Sequence, residues 1–284
     1  MGKAHADPED KDGQTPLASA ARSGHTEVAK LFLGATGVDA DSRDGEGLTP
    51  LAWAAINGLE KLVELFLSVR YVNPNSETDD PWLAAENGHE GIVKLLLETR
   101  KVFADSKDQF SETALSLASE NGHISVVDII LKTGNVDADS KATGAYGAGR
   151  TPLSFAAGMG HDEIVQRLLG TGRVDPDSKA TGPFCPGRTP LSWAAGGGHK
   201  TVVELLLNTG RVDINSKSTG RYSRRTALWW AAANRVNVDL MKMLLENGAD
   251  VDVSPEHGQT PLSLVAEEGD EAAVRLFLNY GAKA

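Results

Sequence analysis

The sequence predicts an all-α solenoid built from eight helix-turn-helix repeats. A threonine that starts a Thr-(Pro/Ala)-Leu turn recurs along the 284 residues, and a Gly-His pair follows nine and ten residues later in five repeats. Between residues 140 and 230, a longer segment recurs at a spacing of 38 residues. Self-similarity at a fixed period indicates a stacked array, in which each repeat contacts only its neighbours.

The turn threonine serves as the anchor of each repeat. Aspartate replaces it in the third repeat, where the turn reads Asp79-Asp80-Pro81-Trp82. The anchors of repeats 1 to 8 are Thr15, Thr49, Asp79, Thr113, Thr151, Thr189, Thr226 and Thr260. The Gly-His pairs are Gly24-His25, Gly88-His89, Gly122-His123, Gly160-His161 and Gly198-His199. We expect one domain over residues 12–284 and a mobile polar tail over residues 1–11.

Repeat 1 shows how the pattern forms two helices. Thr15 is a suitable N-cap, and the proline after it suits the first helical position, where its missing N–H costs nothing. The first helix is predicted over residues 17–23 and ends at Gly24 in the left-handed conformation. Apolar residues at helical spacing predict a second helix over residues 25–33.

One position of the first helix, four residues after the anchor, is large and apolar in seven repeats. This regularity predicts that these side chains form the core between helices, rather than a ligand site. They are Trp53, Leu83, Leu117, Phe155, Trp193, Trp230 and Leu264.

Two repeats depart from the pattern. Repeat 3 begins only 30 residues after Thr49 and lacks the turn leucine. We therefore expect a weak junction between repeats 2 and 3, with Trp82 either repacked or exposed. Repeat 7 lacks the glycine that ends the first helix, so Asn234 or Asn237 is expected to take the left-handed conformation.

The terminal repeats carry polar residues that suit the ends of an array. In repeat 1 these include Glu27 and Lys30. Those of repeat 8 are Glu267, Glu268, Asp270, Glu271, Arg275 and Asn279.

The turn and its surroundings resemble the ankyrin repeat, whose first helix carries Thr-Pro-Leu-His-x-Ala. Residues 187–199, Gly-Arg-Thr-Pro-Leu-Ser-Trp-Ala-Ala-Gly-Gly-Gly-His, are most similar to ankyrin arrays of filamentous fungi. The resemblance covers nearly the whole chain and implies a binding scaffold, while leaving the partner open.

Charge is unevenly distributed along the chain. The net charge is −11, but residues 140–230 hold twelve Lys or Arg and six Asp or Glu, a net +6 against −17 for the rest. This distribution indicates an anionic partner for the central repeats. The sequence disfavours a nucleic acid as that partner, since the whole chain is acidic and has no recognised nucleic-acid motif.

The sequence gives little support to several other classes of protein. No run of 18 apolar residues or signal peptide is present, which indicates no membrane span. The single cysteine, Cys185, offers no internal disulfide and favours an intracellular, cytoplasmic location. We interpret it as an exposed thiol rather than a nucleophile, since no base lies near it in sequence.

No metal, cofactor or catalytic site is predicted. The recurring Asp and Asn residues lack the spacing of a calcium loop and suit turn hydrogen bonds instead. Histidines of successive repeats are expected about 10 Å apart, too far to share a zinc ion. No phosphate loop, kinase set or nucleophile elbow is present.

Repeats 5 to 7 carry long fingers before their turns. The segments 140–146, 178–184 and 216–222 each end in an aromatic residue, and an arginine precedes each turn. In the ankyrin family, fingers and first helices form a concave binding surface, so the resemblance implies exposed arginines and aromatic anchors there. The residues near the end of the first helix are small and uncharged here, Gly158-Met159 and Gly196-Gly197, which suggests an open floor beneath the fingers.

These observations define a predicted partner-binding surface. Its residues are Tyr146, Arg150, Met159, Phe184, Arg188, Gly196, Gly197, Arg221, Tyr222, Arg224, Arg225 and Trp229. Two interpretations stay open, a binding groove or aromatic residues that only stiffen the fingers. We expect a non-catalytic protein-interaction scaffold that binds an anionic or extended peptide. The alternative is a small-molecule or enzymatic site for an anionic or aromatic metabolite in the same groove.

Overall fold

The structure is a computed structural model, and it describes residues 8–74, 81–99, 102–108, 110–144, 149–183, 186–220, 224–253 and 258–283. Within these residues it contains sixteen α-helices, two for each repeat, and a single isolated β-bridge between Lys107 and Thr113. The predicted all-α helix-turn-helix solenoid is therefore confirmed.

The first helix of each repeat is short, and the second is of similar length. The first helices are α1 (Pro16–Arg22), α3 (Pro50–Ile56), α5 (Pro81–Glu86), α7 (Ala114–Glu120), α9 (Pro152–Met159), α11 (Pro190–Gly197), α13 (Ala227–Ala233) and α15 (Pro261–Glu267). The second helices are α2 (Thr26–Leu33), α4 (Glu60–Ser68), α6 (Glu90–Glu98), α8 (Ile124–Lys132), α10 (Asp162–Gly170), α12 (Lys200–Leu207), α14 (Val238–Glu246) and α16 (Glu271–Asn279).

The turn threonines cap the first helices as predicted. Thr15 accepts a hydrogen bond from the backbone N–H of Ala18, and Thr151 and Thr189 make the same bond in repeats 5 and 6. Glycine ends these helices in the left-handed conformation, with φ of 78° at Gly160 and 75° at Gly198. Local capping therefore sets both ends of the first helix.

Repeat 7 ends its first helix differently from the prediction. Neither Asn234, with φ of −97°, nor Asn237, with φ of −53°, is left-handed. Arg235 takes that conformation instead, with φ of 56°. The prediction was wrong because the left-handed residue lies nine residues after the anchor, as at Gly160 and Gly198, and repeat 7 has Arg235 at that position.

The helices form two compact bodies. The first body includes residues 1–109, 113–118 and 125–136, and the second includes residues 110–112, 119–124 and 137–284. In each body, first helices pack in one row and second helices in another, with α1, α3 and α5 in contact in the first body and α9, α11, α13 and α15 in the second. The prediction of one domain over residues 12–284, after a mobile tail, stays a prediction.

The turn leucine holds each first helix in the stack. It is at most 1 % exposed in six repeats, and each such burial stabilises the fold by about 1.5–3 kcal/mol. These residues are Leu17, Leu51, Leu115, Leu153, Leu191 and Leu228.

Repeat 3 compensates for its altered turn with Trp82. This side chain is 6 % exposed, and its indole N–H donates to the carbonyl oxygen of Ser106 at 2.7 Å. Of the two alternatives for Trp82, repacking is therefore the correct one. Capping by Asp79 lies outside the described residues.

The terminal repeats are less polar than expected. Glu27 and Lys30 are exposed, in agreement with the sequence, but Val28 and Leu31 on the same helix are also 42 % and 76 % exposed. In repeat 8, Leu278 is 47 % exposed. Apolar surface therefore remains open at both ends.

Candidate partner-binding surface

The arginine before each turn is held by the finger and by the capped helix that follows it. In repeat 5, the backbone N–H of Ala142 donates to the Arg150 carbonyl oxygen at 2.9 Å, and Thr151 then caps α9. The corresponding bonds in repeats 6 and 7 end at Arg188 (2.9 Å) and Arg225 (3.0 Å). Three guanidinium groups therefore start from equivalent points in successive repeats.

These guanidinium groups alternate with the aromatic rings of the first helices. Arg150 lies between Phe155 and Trp193, with its Cζ atom 4.1 and 4.3 Å from the two ring centroids. Arg188 lies between Trp193 and Trp230, at 3.6 and 3.9 Å. Each contact is a cation–π interaction, which stabilises by about 0.5–2 kcal/mol.

Arg225 continues the series in repeat 7. Its Cζ atom lies 5.3 Å from the Trp230 ring centroid and 4.0 Å from that of Trp229. Trp229 is 5 % exposed, and its indole N–H donates to Gln259 at 2.9 Å. We call the seven side chains of this series the Arg-aromatic stack. They are Phe155, Arg150, Trp193, Arg188, Trp230, Arg225 and Trp229.

Burial changes the role of the central arginine. Arg188 is 8 % exposed, and its Nη2 donates to the carbonyl oxygen of Ser192 at 3.1 Å. The expectation of an exposed charge was wrong at this position, because aromatic rings cover both faces of the guanidinium. Arg150 and Arg225 are half-buried and keep part of their surface open.

The glycines near the ends of the first helices make room for the same arginines. A Cβ added at Gly158 would lie 2.8 Å from Nη2 of Arg150, and one at Gly196 would lie 2.6 Å from Nη2 of Arg188. The interpretation of these residues as an open floor was therefore wrong, since guanidinium groups fill the space.

Of the three tryptophans predicted to lie in the core, Trp53 is buried, at 8 % exposure, and the other two are not. Phe155 and Leu117 are buried as expected, at 2 % and 8 % exposure. Trp193 and Trp230, however, are only half-buried. Their rings pack against guanidinium groups on both sides, which leaves an edge at the surface.

Part of the predicted surface lies outside the described residues. This applies to Tyr146, Phe184, Arg221 and Tyr222, and also to Cys185.

The other predicted residues at this surface are exposed. Met159 is 50 % exposed, and Gly197 is also exposed. Arg224 is exposed with φ of 64°, at a place where repeats 5 and 6 have Gly149 and Gly187 with φ of 71° and 77°.

The Gly-His pairs have a role that their sequence position did not reveal. The histidine of one repeat reaches back to the preceding repeat, where its Nε2 contacts a carbonyl oxygen seven residues after the anchor. His199 contacts Gly158 in this way at 3.0 Å, and His89 contacts Ile56 at 2.8 Å. The ring lies against the left-handed glycine of the preceding repeat, so that a Cβ at Gly160 would be 2.4 Å from His199 Nδ1. We call this contact the Gly-His clasp.

Asparagine replaces the histidine in two repeats. Repeats 2 and 7 have Leu59 and Val236 at the histidine position. In these repeats, Nδ2 of Asn57 donates to the carbonyl oxygen of Arg22 at 3.4 Å, and Nδ2 of Asn234 donates to the carbonyl oxygen of Gly196 at 2.9 Å. The sequence signal for this exchange is an asparagine two residues before the missing histidine.

A second ladder joins the loops that follow the second helices. Asp41 accepts a hydrogen bond from the backbone N–H of Asn73 in the next repeat at 3.1 Å. The Asn215 side chain accepts a hydrogen bond from the backbone N–H of Asp250 at 2.7 Å. Its Nδ2 also donates to the carbonyl oxygen of Gly248 at 3.0 Å. The predicted turn role of these residues therefore extends to the next repeat.

Two carboxyl groups of this ladder have a raised pKa. Burial raises the pKa of Asp139 to about 6 from 3.8, although the backbone N–H of Asp175 partly opposes the change. Burial raises the pKa of Asp177 to about 6 as well, against the attraction of Lys179. In both residues Oδ1 is buried with no hydrogen-bond partner among the described residues.

The described ranges show neither a metal-binding cluster nor a membrane-spanning helix. They contain no group of three or more His, Cys, Asp or Glu that could hold a metal ion. No helix among them is both long enough and apolar enough to cross a bilayer.

Comparison with known proteins agrees with the repeat architecture. A family model described as ankyrin repeats, in three copies, matches residues 2–78, 82–180, 173–254 and 212–284. No curated protein matches the sequence. The matches cover nearly all of the chain.

Proposed function

Because the chain belongs to the ankyrin-repeat family, whose repeats are generally protein-interaction modules, we propose that it is a non-catalytic module that binds a protein partner. The segment of the partner that it binds is anionic or extended, and the groove of repeats 5 to 7 holds it. An intracellular, cytoplasmic location is part of this proposal, since the single cysteine permits no internal disulfide. Kinship with the arrays of filamentous fungi is proposed from the turn motif alone.

The Arg-aromatic stack carries the proposal. It presents half-buried aromatic edges, Trp193 and Trp230, beside the half-buried guanidinium groups of Arg150 and Arg225. Aromatic residues and arginine are the side chains that contribute most to protein interfaces, because they combine a large apolar area with hydrogen-bond donors. The net charge of +6 on residues 140–230 favours a carboxylate-rich partner.

Preorganisation adds to this support. The guanidinium groups are fixed by ring contacts and by hydrogen bonds such as that from Arg150 to Ser154 at 2.9 Å. Their conformational entropy is therefore lost on folding rather than on binding, which improves affinity. The exposed Arg224 and Met159 extend the same surface towards solvent.

A metabolite site in the same groove is the weaker alternative. Its support in the sequence was the open glycine floor and the thiol of Cys185. The floor at Gly158 and Gly196 is occupied by Arg150 and Arg188, so these glycines leave no open space for a metabolite.

A capture experiment tests the proposal. The wild-type chain and a triple variant, Tyr146→Ala, Phe184→Ala and Tyr222→Ala, are used as baits in native extract. Phe103→Ala is the matched control, because Phe103 is 70 % exposed and lies outside repeats 5 to 7. We expect a partner that the wild type and the control retain, that the triple variant loses, and whose binding weakens at high salt. A partner retained equally by all three baits, or bound independently of salt, contradicts the proposed site.

A further inference from the structure

The Gly-His clasp is open at both ends of the chain. Inside the array, a Cβ at Gly58 or Gly160 would meet the histidine of the next repeat within 3 Å. At the last repeat, Gly269 has the same left-handed conformation, with φ of 73°, but no atom of the described residues lies within 4 Å of its Cβ position. At the first repeat, His25 is exposed, and its side chain has no hydrogen-bond partner among the described residues.

The second helix of repeat 1 exposes an apolar residue that every later repeat buries. Val28 is 42 % exposed, whereas the residue at its position in the other seven repeats is at most 1 % exposed. These residues are Leu62, Ile92, Val126, Ile164, Val202, Leu240 and Ala273. The face of α2 that carries Val28 is therefore open, whereas the equivalent face is covered in repeats 2 to 8.

Two further apolar residues are exposed in the terminal repeats. Leu31 lies one helical turn after Val28 on the same side of α2 and is 76 % exposed. At the other end, Leu278 of α16 is 47 % exposed, whereas its counterparts are half-buried in repeats 1 to 6 and buried in repeat 7, where Leu245 is 5 % exposed. Repeat 8 therefore leaves open the face that a following repeat would cover.

We infer that copies of this chain stack head to tail, so that repeat 1 of one copy packs on repeat 8 of the next. Val28 and Leu31 then meet the face of α16 that carries Leu278. The His25 ring enters the open space in front of Gly269, with Nε2 at the carbonyl oxygen of Glu267, seven residues after Thr260. This contact continues the interface that already joins successive repeats.

The two open faces differ from each other, which determines the type of assembly. One supplies the histidine of the clasp, and the other supplies the glycine and the carbonyl oxygen. Such a contact is heterologous, and heterologous contacts produce open chains unless the rotation closes a ring. The expected product is therefore a concentration-dependent linear assembly rather than a symmetric dimer.

Two surface variants of the full chain test this inference by sedimentation. Val28→Glu with Leu31→Glu blocks the face of repeat 1, and Leu278→Glu with Tyr280→Glu blocks the face of repeat 8. All four side chains are at least 40 % exposed, so both variants are expected to fold. We expect each variant alone to sediment at the monomer mass of 30.0 kDa. Their equimolar mixture should form a species of twice that mass, because each supplies one intact face.

Two single substitutions complete the sedimentation test. Lys94→Glu adds the same charge change at an exposed site on α6 and should leave the assembly of the wild type unchanged. His25→Ala should weaken association without unfolding the chain. Dimers of either blocked variant alone would indicate a symmetric contact and overturn the inference. A wild type that stays monomeric up to about 1 mM, the range of an interface worth about 4 kcal/mol, would also overturn it.

Discussion

The Cζ atom of Arg188 lies 3.6 Å from the ring centroid of Trp193, which belongs to the same repeat. It lies 3.9 Å from the ring centroid of Trp230, which belongs to the next repeat. One side chain thus joins the first helices of repeats 6 and 7. Because the ring faces remove it from solvent, Arg188 contributes to the stability of the stack as well as to the charge of the surface.

Replacement of Arg188 by lysine is expected to lower the free energy of unfolding by about 1–2 kcal/mol. Lysine keeps the charge but lacks the planar group that stacks on two rings at once. Urea denaturation measures the change, and Arg167→Lys is the control, because Arg167 is exposed and lies outside the stack. Equal stability of the two variants would show that stacking contributes little.

Gly196→Ala should destabilise the chain by about 1–3 kcal/mol. The new Cβ would lie 2.6 Å from Arg188 Nη2 and 3.3 Å from Asn234 Nδ2, so part of the stack has to move. Gly170→Ala provides the matched control, since its Cβ position at the end of α10 has no neighbour within 4 Å in the part of the chain that the structure describes. Thermal unfolding compares them, and a loss in the control as large as in Gly196→Ala would contradict this explanation.

Asp139→Asn with Asp177→Asn should stabilise the chain at pH 7. Each folded-state pKa is about 6, above the ordinary 3.8, so the stability these carboxyl groups contribute is complete below about pH 4 and lost as the pH rises through about 6. The gain over wild type should therefore be small at pH 4 and largest above pH 6. Denaturation at a series of pH values tests this.

The reverse substitution is the control for the pH prediction. Asn215 occupies the equivalent place in repeat 6 and uses both polar atoms in hydrogen bonds. Asn215→Asp should therefore lower stability above pH 6 and much less at pH 4. A gain from the double variant that does not change with pH would exclude titration of these two groups as its cause.

Hydrogen exchange should show repeats 1 and 2 opening at lower free energy than repeats 5 to 7. Stability in an array is a sum of repeat and interface terms, so the weakest junction separates first. The altered turn of repeat 3 marks that junction, since α5 is only six residues long and begins at Pro81. Uniform protection along the chain would refute this prediction.

The peptide proposed as a partner should contact the surface at every third residue. Repeats are spaced by helix packing at about 8–10 Å, and an extended chain advances about 3.3 Å per residue. Acidic or apolar side chains are therefore expected at every third position over about seven to nine residues. Alanine scanning of a mapped peptide tests the spacing, and losses at i, i+4 and i+7 would indicate a bound helix instead. Among protein residues, Phe184 should be the most sensitive, as the middle anchor.

Local features of the chain were predictable because they depend on neighbouring residues. The sequence by itself determined the fold class, the threonine caps and the left-handed glycines such as Gly160. Each of these follows from the conformational preference of one residue and its nearest neighbours along the chain. The period then placed eight repeats in one series.

Only the tertiary structure decided what the recurring Arg, Gly and His residues contact. Arg188 is buried because Trp193 and Trp230 cover it from two repeats, and Gly158 is small because Arg150 approaches its Cβ position, while the His199 ring contacts its carbonyl oxygen. These contacts join residues up to 41 positions apart. A repeated motif shows that such residues occupy equivalent places, but the space between two stacked helices determines which of them is covered.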